Sequence, residues 1–393
     1  MHIAFEDLRQ TGWTAGGIYL SNVLSAIASV AHEHGVRVSG TMAAGTAADR
    51  SYWRDVDGVI AIPSDARRHS PTRRLIDFAA RRVGRRVERR SPAGRLLRKA
   101  GVDALFSKVD HGPGFDVALL GWIPDFQHVY LPDLFSADER ALRDDSYSRL
   151  ARRAGAVVLS SQSAAADFAR FAPAAAGRGR VVPFVSQIPA DALAPDPAGV
   201  ARQYHLPEKY FYLPNQFWVH KNHKLVIDAV ANARARVPDL TVVCTGNLID
   251  TRRPSHASDL LCDIARRDLR HNVLLLGLVP REHVVALARQ SLAVLQPSLF
   301  EGWSSSIEEA KSLGKPVLAS DIAVHREQDA PGARYFSPID PANLAAALED
   351  AWRDLPPGLD LAAERAAREI TEARTREFGR RFIKAATDAV AAR

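Results

Sequence analysis

At 393 residues the chain is longer than one hydrophobic core usually serves, so two domains are expected. Apolar residues at 47% and charged residues at 25% describe an ordinary globular protein, and no apolar run nears the roughly 18 residues of a membrane span, which excludes an integral helical membrane protein. A net charge of +7 admits an anionic partner, while two cysteines, Cys244 and Cys262, exclude a disulfide framework or thiolate metal site and fit a reducing compartment.

The opening "MHIAFEDLRQ" lacks the basic-then-apolar pattern of an export signal and reads as a first strand, His2 to Phe5, so a cytoplasmic protein is expected. In "TGWTAGGIYLSNVLSAI" the Gly16-Gly17 pair stands at the first strand-to-helix turn, ahead of a helix from Ile18 to His34. Further strands are expected near Val36 to Thr41, Gly58 to Ile62, Val102 to Phe106, Val117 to Trp122, Ala156 to Ser160 and Arg180 to Phe184, with helices between them. Asp55 and Asp57 in "RDVDG" precede a strand and read as a turn, not as a metal-holding D-x-D after one, and no metal site is expected. From Arg67 to Lys99, thirteen Lys or Arg stand against Asp77 and Glu88. That segment is either a solvated helical face or a surface for an anion, and it lacks the interleaved aromatics or modules that nucleic-acid binding needs. "GWIPDFQHVYLPDLFS", Gly121 to Ser136, follows a strand and would set Asp125 and His128 at its carboxyl end.

Residues 186–206, rich in Pro and Ala, read as a linker between a first domain, 1–185, and a second, 207–365. The second repeats the strand-then-helix rhythm in "YFYLPN", "LTVVCTG", "NVLLLGLV", "LAVLQPS", "KPVLAS" and "ARYFSP". Residues 366–393 are helical by composition and would either close the second domain or pack back on the first. The fold class is therefore α/β, two Rossmann-like doubly wound domains whose ligands bind in the cleft at the strands' carboxyl ends.

That cleft is where "SLFEGWSSSIEEAKSLGKPVLASD", Ser298 to Asp321, belongs. Glu301 follows a strand beside Gly302, which lets another group approach the backbone. Ser305 with Glu308, or Ser306 with Glu309, has capping-box spacing, and Glu308 is read as such a cap. The helix start at Ser304 to Ile307 offers free backbone N–H groups and a partial positive charge for a phosphate. Carboxylates beside a phosphate would face hydroxyls, a combination that suits a nucleotide sugar. In "LPNQFWVHKNHKLVIDAV", Leu213 to Val230, Lys221 lies where a cation can reach a diphosphate and neutralise its departure.

The run from Glu301 to Ala310, followed by "SLGKPV", resembles the E-x7-E signature of retaining family 4 glycosyltransferases of the GT-B fold. By that resemblance Glu301 would contact donor-sugar hydroxyls and Glu309 the ribose. Gly16 and Gly17 would belong to a glycine-rich loop near the diphosphate. His128 would lie near the donor sugar, and Asp125 competes with it for acceptor activation. Lys221-Asn222 matches the family's Lys-Asn, but Asn215 stands where an arginine six residues earlier would grip the diphosphate. His220, His223 or Arg326 would supply the missing charge, or Lys221 and backbone amides suffice. "NQFWVHKNH" with "SDIAVHREQ" resembles a bacterial subgroup that builds surface polysaccharides such as O-antigen or capsule.

The resemblance implies a metal-independent enzyme without cofactor. It would move a hexose or deoxyhexose, with retention, from a nucleotide diphosphate sugar to a glycan or lipid-linked glycan acceptor. The arginine-rich segment would dock on an anionic inner membrane face. The alternatives are a nucleotide-sugar epimerase of the same architecture, which needs no acceptor, and a non-catalytic anion- or nucleic-acid-binding protein.

Overall fold

The computed structural model describes residues 1–8, 14–43, 53, 55–62 and 91–393. The short apolar runs become parallel strands because helices cover both faces of each sheet, so a strand can be apolar throughout. The first domain holds β1 (His2–Glu6), β2 (Arg37–Ala43), β3 (Gly58–Ile62), β4 (Ala104–Ser107), β5 (Ala118–Trp122), β6 (Ala156–Leu159) and β7 (Gly179–Val181), in the order β3-β2-β1-β4-β5-β6-β7. The second holds β8 (Phe211–Pro214), β9 (Val242–Thr245), β10 (Val273–Gly277), β11 (Val294–Gln296), β12 (Val317–Ser320) and β13 (Arg334–Phe336), in the order β10-β9-β8-β11-β12-β13. Each sheet reverses its direction of growth once, between β1 and β4 and between β8 and β11. Ligands of such sheets bind outside the carboxyl ends of the strands at that reversal.

Helices α1 (Thr14–His34), α2 (Pro92–Lys99), α3 (Gln127–Tyr130), α4 (Ala137–Arg153) and α5 (Gln162–Phe171) accompany the first sheet. The second carries α6 (Pro197–Gln203), α7 (His223–Ala233), α8 (His256–Arg266), α9 (Arg281–Gln290), α10 (Ser305–Ser312), α11 (Ala323–Gln328) and α12 (Pro341–Asp354), and α13 (Leu361–Ala391) spans both domains. No helix among the described residues is long and apolar enough to cross a membrane.

One sequence expectation meets a different arrangement. Gly16 and Gly17 are buried within α1, which begins at Thr14, not in a loop ahead of it. Residues 186–206 pack on the second domain: Asp196 caps α6, with its Oδ2 accepting the Gly199 amide at 2.9 Å, and Ala192, Val200 and Ala201 are buried with Val285 and Ala286 of α9. The linker adheres because these small apolar residues are buried in the second domain's core. The arginine-rich segment lies outside the described residues up to position 90; beyond it, Arg98 of α2 pairs with Asp116 at 3.1 Å. Asp57 behaves as a turn residue, its Oδ2 accepting the Val38 amide at 2.7 Å.

Helix α13 ties the domains together. Near its start it lies so close to Gly314 that a side chain there would meet the Ala363 carbonyl oxygen. Farther on, Phe378 and Phe382 enter the first core, where Phe382 packs 5.5 Å from Phe5 and 5.1 Å from Phe106, ring centre to ring centre. Gly379 lets it rest on the Ala26 carbonyl of α1, a position no larger residue could share.

Candidate active site

The reversal point of the second sheet lies between Asn215, just past β8, and Gln296, the last residue of β11. After Gln296 the chain turns through Ser298, whose carbonyl accepts the Ser320 hydroxyl at 2.6 Å, and Leu299, whose amide donates to the His220 carbonyl at 2.8 Å. The turn delivers Glu301 into the cleft, where Oε1 accepts hydrogen bonds from Lys221 Nζ at 2.5 Å, Ser298 Oγ at 2.7 Å and Gln296 Nε2 at 2.8 Å. Burial would push this carboxyl up, but the Lys221 ammonium, through its charge and its hydrogen bond, outweighs it and holds it below the usual range. Glu301 is therefore an anion at neutral pH. All three donors converge on Oε1, which leaves Oε2 for a ligand.

Lys221 is placed by the residue after it. Asn222 adopts the left-handed conformation, φ 61°, which Asn tolerates better than most residues. Its side-chain amide donates to the carbonyls of Pro297 at 3.0 Å and Pro338 at 2.9 Å, pinning the turn to the ends of two other strands. The Lys-Asn pair thus has a geometric reason.

Asn215 is spent inside the same network. Its Nδ2 donates to Gln296 Oε1 at 2.6 Å and its Oδ1 accepts the Ser306 hydroxyl at 3.3 Å, so it orients the Gln296 amide toward Glu301 and is not extended to a diphosphate. Of the stand-ins, the two histidines carry no positive charge at neutral pH. Burial, with Lys221 adding to it, lowers His220 to about 3, and burial with His256 and Lys221 lowers His223 to about 3, so both rings are neutral. Arg326 is held by Asp321 at 2.7 and 2.8 Å and lies over the Tyr335 ring.

The serine-headed helix differs from its capping-box reading. Ser304 is the cap, its hydroxyl accepting the Ile307 amide at 3.4 Å, while its own amide donates to Gln328 Oε1 at 3.0 Å. Because the helix starts one residue early, neither Ser305 with Glu308 nor Ser306 with Glu309 forms a box. The Ser304 and Ile307 amides are thus spent, and those of Ser305 and Ser306 have no partner among the described residues. Glu308 points inward with no exposed side-chain surface, accepting from Arg374 of α13 at 2.5 Å and from Gln328 at 3.2 Å. It bridges helices and caps none. Glu309, one position on, takes a two-pronged bond from Arg281 at 2.7 and 3.0 Å.

Across the cleft, Gly302 meets the first domain. A side chain there would overlap the Pro124 carbonyl oxygen and stand 3.0 Å from Asp125 Cβ. Asp125 thus lies beside the Glu301 turn, its Oδ1 accepting the Gln127 amide at 2.9 Å with Arg143 at 3.6 Å. His128 does not join it: Nε2 bonds Asp144 of α4 at 3.1 Å, and the ring is buried among Phe126, Phe135 and Tyr147.

Sequence reasoning missed Arg281, Gln296, Gln328 and His325. Arg281 was one arginine among many, and Gln296 lay within an apolar strand, so neither carried a spacing signal. His325 lies within the "VHREQ" stretch, where Arg326 carries the stronger charge signal. Its Nδ1 sits 2.9 Å from the Ser320 carbonyl, which can only accept, so Nδ1 carries the proton; the bare Nε2 is buried without a partner among the described residues. Among the described residues, no three His, Cys, Asp or Glu side chains converge as a metal site.

Residues 203–370 match the protein-family model described as Glycosyl transferases group 1. Part of the chain is similar to the O-antigen chain mannosyltransferase RfbU of Salmonella typhimurium, 27% identical over 144 residues, or 36% of this chain and 38% of that protein. Over 98% of both chains the fold is similar to Anabaena HepE in complex with UDP and glucose, with a TM-score of 0.66 at 15% identity. Sucrose-phosphate synthase from Thermosynechococcus elongatus is similar over 100% of both chains, with a TM-score of 0.65 at 16% identity. The architecture is GT-B: two Rossmann-like domains facing across a cleft.

Proposed function

We propose that the protein is a retaining glycosyltransferase that moves a hexose or deoxyhexose from a nucleotide diphosphate sugar to a glycan acceptor in surface-polysaccharide assembly. One observation carries this reading: an ionised Glu301 whose Oε1 is saturated and whose Oε2 is open, at the reversal point of the second sheet, against the first domain. Such a carboxylate accepts a hydrogen bond from an uncharged hydroxyl and repels a phosphate. The sugar therefore lies at Glu301, with the neutral His325 Nε2 as a second acceptor for its hydroxyls. The diphosphate is held by Lys221 and by the amides of Ser305 and Ser306, which neutralise charge as it departs. The ribose lies toward Glu309, whose carboxylate Arg281 orients. Asp125, on the first domain beside Gly302, faces the acceptor. The group 1 family match over the second domain supports glycosyl transfer, the UDP and glucose of HepE a nucleotide-sugar donor, and the O-antigen relative a glycan acceptor.

The decisive test is a thermal-shift panel of nucleoside diphosphates and their sugars. A ligand at a hundred times its Kd stabilises the fold by roughly 2.7 kcal/mol. One nucleotide sugar should stand out, and Glu301→Ala should lose its preference over the bare nucleoside diphosphate; no response to any member would overturn the reading. The arginine-rich segment, in the acceptor domain, would dock on anionic lipid. Retention on such liposomes should fade with salt and with replacement of its arginines.

A further inference from the structure

We propose that Glu327 is a positioning residue: from the second domain its carboxylate caps the N-terminus of α5 in the first and thereby sets the closed spacing of the cleft. The first N–H groups of any helix lack partners within it. In α5, Ser161 Oγ accepts the Ala164 amide at 2.9 Å, and the two remaining amides go to Glu327: Gln162 N at 2.7 Å from Oε1 and 3.0 Å from Oε2, Ser163 N at 3.3 Å from Oε2. A carboxylate there gains from charge-assisted hydrogen bonds and from the positive end of the helix.

The origin of the acid is what matters. Helix α4 is capped within its own domain, by Ser136 and Glu139 in a capping box. The α5 cap comes instead from a residue on the far side of the cleft, so it exists only while the domains are together. Opening returns both amides and the carboxylate to water.

Glu327 also cannot shift alone. It sits on the six-residue helix α11, where Gln328 binds the Ser304 amide at 3.0 Å, the Ser304 carbonyl at 2.9 Å and Glu308 at 3.2 Å, and His325 is tied to Ser320. The same short helix therefore holds the start of α10, the phosphate-facing helix, and the neighbouring domain. The contacts that Glu327 keeps in register are Gly302 on Pro124, Trp303 Nε1 on the Phe184 carbonyl at 2.9 Å, and Tyr130 against Phe300 at 5.2 Å. Its consequence for transfer rests on the function proposed above; the interdomain cap itself does not.

The test uses the full chain and UDP as probe. Hydrogen exchange of peptides covering 160–168 and the solution radius of gyration are measured for wild type, Glu327→Ala and Gln162→Pro. Proline is tolerated at the first helical position and Ser161 is extended, so Gln162→Pro deletes one donor while keeping the helix. Both variants should lose protection at the start of α5 and show an enlarged radius, while their UDP affinity stays at the wild-type value. With the nucleotide sugar chosen by the thermal panel, kcat should fall and the donor KM should hold. Unchanged exchange and radius in both variants, or a parallel loss of UDP affinity, would overturn the proposal. If UDP and every other nucleotide fail to bind wild type while α5 still loses protection in the variants, the donor-site reading falls and the interdomain cap stands.

Discussion

Lys221 and Glu301 form a largely buried ion pair, Nζ to Oε1 at 2.5 Å, in which the lysine comes from the turn after β8 and the glutamate from the turn after β11. The two strands are neighbours in the sheet, although eighty residues separate the partners. Removing one member leaves the other as an uncompensated buried charge.

Lys221→Ala should therefore destabilise the protein by about 3–5 kcal/mol. Adding Glu301→Gln, which removes the stranded charge, should recover much of that loss. Urea unfolding of the two single variants and the double variant measures the coupling; strictly additive losses would show that the pair contributes no mutual stabilisation.

Gly302→Ala places a methyl group against the Pro124 carbonyl, a backbone atom that no rotamer change can move aside. The domains should separate slightly, so turnover should drop while nucleotide affinity measured by calorimetry stays near wild type. A variant with full activity would remove the Gly302 contact from the closed cleft.

Acid should destabilise the fold through His220 and His223. Each has its pKa lowered from 6.5 to about 3, chiefly by burial, so between those values the unfolded chain binds protons that the folded chain refuses. Stability is complete above the unfolded value and falls on acidification by about 1.4 kcal/mol per pH unit for each histidine. Among the described residues His223 has no hydrogen-bond partner at either ring nitrogen, so His223→Leu should flatten the slope in urea midpoints taken between pH 7 and pH 5.

Phe382, wholly buried between Phe5 and Phe106, fastens α13 to the first domain. Phe382→Ala should cost about 3–5 kcal/mol and release the C-terminal part of α13. Circular dichroism melts and proteolysis within 375–391 provide the check.

Two kinds of information decided this protein. Strand periodicity, the position of Glu301 after an apolar strand and the Lys221-Asn222 pair were legible along the chain, because burial on a doubly wound sheet imposes local apolar runs and because turns have residue requirements of their own. Asn222 is the clearest instance, since an Asn tolerates the left-handed turn that fixes the lysine before it. By contrast, the identity of partners was not legible. Glu308 carried the spacing of a cap yet pairs with Arg374, sixty-six residues away; Asn215 stood in an arginine's place yet serves Gln296 on the neighbouring strand; His128 followed the right strand yet turns into an aromatic cluster. A side chain's charge state and partner depend on which elements the fold packs against it and how dry that contact is. Only the tertiary structure brings Arg281 to Glu309, Glu327 to α5 and Pro124 to Gly302.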